Sequence, residues 1–70
     1  MTNLTKIIAR NVKALRLERG LTISTFAVKV FLSEEIVSEI EEGIHRPTPE
    51  KLLQISEVFQ VSPSRLLSGH

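Results

Sequence analysis

Seventy residues with a net charge of +1 and no cysteine make at most one small domain, and they exclude disulfides and thiolate metal sites. A composition of 41% hydrophobic and 24% charged residues is ordinary for a soluble globular protein. No apolar run approaches a membrane span or a signal-peptide core, so a cytoplasmic protein is expected.

Five short helices are predicted, at about residues 3–19, 23–30, 34–42, 49–59 and 63–67, within one domain spanning 1–70. In the first, Ile8, Val12, Leu15 and Leu4 fall on one helical stripe. Asn3 or Thr2 caps its start, and Gly20 stops it. The second follows Thr22 as N-cap and turns Phe26, Ala27 and Val30 inward. A tight break at Phe31–Leu32–Ser33 follows. Ser33 caps the third helix, with Ile36 and Ile40 inward, and Gly43 ends it in a left-handed turn. After a loop from Ile44 to Pro47, Thr48 and Pro49 start the fourth helix. Leu52, Leu53, Ile55, Ser56 and Phe59 form its core face. Ser62–Pro63 starts the fifth, which carries Leu66 and Leu67. Sustained alternation and hairpin turns are absent, so no strand is expected. Five short helices with an abrupt break between the second and third have the layout of a helix-turn-helix domain.

Charge is divided along the chain. Lys6, Arg10, Lys13, Arg16, Arg19 and Lys29 face a single acid, Glu18, in residues 1–32. Residues 33–57 hold seven Glu against Arg46 and Lys51. Lys6, Arg10 and Lys13 share one helix face. His45 and His70 are isolated. Without an i,i+4 metal pair, a Ser/His/Asp set or a glycine-rich phosphate cradle, no catalytic residue, metal or cofactor is expected, and the chain is not read as an enzyme.

The ordered set Val-Lys-Ala-Leu-Arg (12–16), Gly-Leu-Thr (20–22), Phe-Ala (26–27), Ser33, Ile-Glu-Glu-Gly (40–43), Pro47 and the run from Leu52 to Ser62 resembles the Cro and phage-repressor (xenobiotic-response-element-like) helix-turn-helix family. The resemblance covers roughly residues 8 to 67. It implies an all-α, compact five-helix lambda-repressor-like fold and a transcriptional regulator that binds double-stranded DNA as a homodimer through the region of the fifth helix. It further implies that Glu34, Glu35, Ser38 and Glu39 face base edges. It places Thr22 and Arg46 near phosphates and makes Arg16 and Glu41 a structural ion pair; the charge of Arg10 and Arg19 and the hydroxyl of Ser33 add these three as phosphate candidates.

Four positions depart from the family pattern. Three of the base-facing residues are carboxylates. A carboxylate is able to accept from cytosine N4 but meets the negative field of the duplex. Ile23 stands where a phosphate-binding Gln is common, and Ile44 where a basic or polar residue is common. Phe31 stands where Gly is usual. A left-handed backbone there costs Phe on the order of 1 kcal/mol or more, so the turn is either remodelled or strained.

Each residue also has a plainer role. Thr22, Ser33, Thr48 and Ser62 are helix caps, Glu34 and Glu35 favourable charges at a helix N-terminus, and Lys6 and Lys13 a solvated face. Ile23, Phe31, Val37 and Ile44 lie off the core stripes, and clustering would mark a partner surface. The alternative reading is therefore a helix-turn-helix fold repurposed for protein binding through its acidic helix, as an antirepressor or assembly factor.

Overall fold

The computed structural model describes residues 3–69. Five helices follow in order: α1 (Leu4–Glu18), α2 (Ile23–Lys29), α3 (Glu34–Glu42), α4 (Pro49–Phe59) and α5 (Pro63–Leu67). No strand occurs among the described residues.

Hydroxyl and amide side chains start the first four helices. Asn3 Oδ1 accepts from the backbone N–H of Thr5 at 2.9 Å. Thr22, Ser33 and Thr48 each accept from the N–H three residues on, at 3.0, 3.1 and 3.1 Å. Each such cap satisfies an orphan donor and is worth about 1 kcal/mol. Ser62 occupies the cap position of α5 without bonding the backbone; its hydroxyl meets that of Ser64 at 3.0 Å. Thr2, the alternative cap of α1, and His70 lie outside the described residues.

The same four helices end alike. The residues at 20, 31, 43 and 60 have φ of 68°, 56°, 80° and 59°. Each donates its N–H to the carbonyl three residues back, and the next residue donates to the carbonyl five back. This two-bond closure is the Schellman motif, which satisfies the last free carbonyls of a helix. Glycine occupies two of the four left-handed positions; Phe31 and Gln60 occupy the others under strain. The residue that follows explains the tolerance. Leu32 and Val61, like Leu21 after Gly20, pack against the core and hold the turn. Ile44 after Gly43 does not, and is 72% exposed.

The core gathers Ile8, Val12 and Leu15 from α1, Phe26, Ala27 and Val30 from the second helical segment, Val37 and Ile40 from α3, and Ile55, Phe59 and Leu66. Phe26 and Phe59 stack face to face with ring centroids 5.0 Å apart. Several expectations need correction. Val37 is fully buried and Ile36 only partly, so α3 is rotated from the predicted stripe toward Val37. Leu4, Leu53 and Leu67 are exposed, since each lies on the flank of a helix whose neighbouring residue takes the core position. Ile23 packs partly against the core.

Polar side chains tie the helix ends together. Asn11, buried on α1, donates its amide to the carbonyls of Leu66 at 2.8 Å, Ser68 at 2.9 Å and Arg65 at 3.4 Å, clasping the end of α5. Lys51 Nζ donates to the carbonyl of Val30 at 2.7 Å, just beyond α2. Arg19 donates to the carbonyl of Phe59 at 2.7 Å, where α4 ends. Cations at helix C-termini complement the macrodipole as well as filling free acceptors.

Candidate nucleic-acid interface

The α2–turn–α3 unit carries the candidate site. Phe26 and Val30 meet Val37 and Ile40 in the core, which fixes α3 across α2 and turns the opposite face of α3 outward. That face presents exposed Glu34 and Glu35, with half-exposed Ser38 and Glu39 one turn further on. Spacing places Glu35 above Glu39 and Glu34 above Ser38.

One carboxylate of α3 is spent on structure. Glu41 receives Arg16 Nε at 2.6 Å and Nη2 at 3.0 Å, while Nη1 donates to the carbonyl of Leu21 at 2.8 Å. The two side chains are only 8% and 6% exposed. Hydrogen bonding to Glu41 raises the guanidinium pKa above its ordinary value, against the opposing effect of burial. The fork therefore binds α1, the start of α2 and the C-terminal half of α3 as one charged unit.

Basic side chains border the acidic face. A Cβ added at Gly43 would lie 3.3 Å from Lys6 Cγ, so Lys6 lies against the end of α3. Lys13 lines a cleft of about 180 Å³ together with Ile23, Ser38 and Glu42. Exposed Arg10 stands between them on the same face of α1. Arg46 Nε donates to Thr5 Oγ1 at 2.9 Å, which positions the loop after α3 beside the start of α1. His45 Nδ1 is 3.6 Å from Glu39 Oε1. Arg19, by contrast, is held by Phe59 and by Glu18 at 2.9 Å. It lines a separate cleft of about 360 Å³ that includes no residue of α3. Thr22 and Ser33 are exposed caps.

Phe31 and Ile44 are 79% and 72% exposed. They flank opposite ends of α3, which is about 13 Å long at 1.5 Å per residue. Ile23 turns to the core, so these three do not form one contiguous patch. Val28, 74% exposed, instead accompanies Phe31, whose N–H donates to the Val28 carbonyl at 3.3 Å.

Sequence reasoning missed the roles of Asn11 and Lys51. A buried Asn in an otherwise apolar stripe was the available signal for the first. Lys51 gave none, because its partner at Val30 is 21 residues away.

A helix-turn-helix family model, HTH_3, matches residues 12–66. Solved structures share the fold. The clp gene regulator ClgR from Corynebacterium glutamicum superposes with a TM-score of 0.88 at 21% identity, covering 94% of this chain and 70% of that one. An HTH_3 family transcriptional regulator from Vibrio cholerae gives 0.82 at 30% identity, covering 90% of this chain and 35% of that one. The restriction-modification controller protein C.AhdI from Aeromonas hydrophila gives 0.83 at 21% identity, covering 89% and 94%. A search of curated protein sequences returns no match.

Proposed function

The chain belongs to the HTH_3 helix-turn-helix family of non-enzymatic DNA-binding regulators, and on that premise we propose that it is a sequence-specific transcriptional regulator that binds double-stranded DNA as a homodimer. The observation that carries this reading is the outward face of α3, with Glu34, Glu35, Ser38 and Glu39 free of the core and bordered by Lys6 and Lys13. Side chains at 34, 35, 38 and 39 meet base edges. Thr22, Ser33, Arg46 and Arg10 meet phosphates, and Arg19 contributes only by releasing Phe59 or Glu18. Exposed Leu67 on α5 supports a two-fold contact through that helix. Two copies then place their recognition helices about 34 Å apart, one turn of the duplex. Such a regulator works in the cytoplasm. No helix among the described residues is long and apolar enough to cross a membrane.

A second reading, protein binding by the acidic α3 as in an antirepressor or assembly factor, draws on the three carboxylates and on exposed Phe31 and Val28. Fluorescence anisotropy with a random duplex pool separates the two. DNA binding predicts saturable association whose affinity falls steeply between low and moderate salt as counterions are released. A folded protein that binds no duplex at low salt refutes it and favours the protein partner.

A further inference from the structure

Resting on the DNA-binding reading above, we propose that α3 is a cytosine reader: its outer carboxylates, Glu35 and Glu39 foremost, accept hydrogen bonds from cytosine amino groups in the major groove. Hydrogen-bonding capacity leads to this choice. An ionised carboxylate only accepts. In the major groove guanine shows two acceptors, thymine an acceptor and a methyl group, and adenine an acceptor beside its donor. Cytosine alone shows a donor with no acceptor of its own. A carboxylate is thus repelled by guanine and thymine, half-suited to adenine and suited to cytosine.

The face has no competing reader. From Ser33 to Gly43 the chain contains no Arg, Lys, Asn or Gln, and the only side-chain donors are the hydroxyls of Ser33 and Ser38. Ser33 sits at the helix cap, accepting from Ile36 N–H, with its hydroxyl proton left for a phosphate. Glu41 is withdrawn into the fork with Arg16. Glu35 and Glu39 lie one above the other, about 6 Å apart along the helix axis. That span matches about two base-pair steps at roughly 3.4 Å each.

Charge layout resolves the objection that carboxylates repel DNA. Repulsion comes from the phosphates, which run along the rims of the groove, whereas the amino groups lie on its floor. The protein presents the matching order. Lys6 stands at the end of α3, Lys13 beside Ser38 and Glu42, and His45 3.6 Å from Glu39. The two lysines occupy the rim and the acceptors the centre.

The test is selection from a randomised duplex pool, run in parallel with the wild type and with Glu39→Gln. The wild type is expected to enrich half-sites with cytosines on one strand two or three base pairs apart. Replacing one of them with thymine should weaken binding on the order of ten- to a hundredfold. Glu39→Gln is expected to exchange one cytosine for adenine, because an amide bonds adenine N6 and N7 together. Enriched sites with guanine or thymine at those positions, or an unchanged consensus for Glu39→Gln, overturn cytosine reading while leaving DNA binding intact. Absence of salt-dependent duplex binding by the folded wild type overturns the DNA-binding reading, and cytosine reading with it.

Discussion

Replacing Glu41 with alanine should strip the domain of a large share of its stability without removing any side chain of the proposed DNA-facing surface. The Arg16–Glu41 fork is bidentate, and both side chains are more than nine-tenths buried. Exposed ion pairs contribute about 0–1 kcal/mol, but removing one partner of a buried pair costs about 3–5 kcal/mol, because the other is left charged and dry. The Arg16 guanidinium is too strong a base to find relief by deprotonation. Its remaining bond to the Leu21 carbonyl puts the loss near the lower end, about 3 kcal/mol. At about 0.05–0.15 kcal/mol per residue the whole domain holds roughly 4–10 kcal/mol. Urea denaturation followed by circular dichroism should therefore show a midpoint shifted far down, and thermal melting a fall of roughly 12–24 °C. The control is the double variant Arg16→Met with Glu41→Leu. It leaves no orphan charge and should stay within about 1–2 kcal/mol of the wild type. A single variant that loses under 1 kcal/mol, or a double variant as damaged as the single, would show that the fork behaves like a surface pair.

Phe31→Gly should raise stability by up to about 1 kcal/mol, since it removes left-handed strain at a side chain with little burial to lose; a lower melting temperature would mean that the exposed ring packs in solution. Asn11→Ala should cost about 2 kcal/mol in urea denaturation by leaving carbonyls at the end of α5 unsatisfied, and a change below 0.5 kcal/mol, about the noise of surface substitutions, would deny the clasp its role. Leu67→Asp should convert the proposed dimer to a monomer in sedimentation velocity while keeping the helical signal of α1 to α4. A wild type that already sediments as a monomer at tens of micromolar would dispose of the α5 interface.

The helices were legible because their ends are chemical. Asn3, Thr22, Ser33 and Thr48 announce starts, and Gly20 and Gly43 announce stops, each through a bond to its own neighbourhood. What escaped was whatever depends on a distant partner. Nothing near Asn11 in the chain points to carbonyls at 65, 66 and 68. Phase on a short helix is also weakly determined. Ile36 and Val37 are about 100° apart around an axis of nine residues, and the crossing with α2 decides which goes under. The strained turn at Phe31 was readable only as a conflict between residue and position. The outward placement of Glu34, Glu35, Ser38 and Glu39 follows from the buried pair Val37 and Ile40 by helical spacing.

The clasp at Asn11 also says in what order the molecule comes apart. A five-residue helix lies far below the length at which helices persist in water, about 12 residues. It holds through buried Leu66 and one amide that reaches across 54 to 57 positions of chain. Closing that span should come late in folding, and opening it early. Amide protons of α5 should therefore exchange at a lower free energy than those of α1. If α5 forms the two-fold contact, dilution and local melting become the same event: monomers shed their last helix first, and pairing restores it.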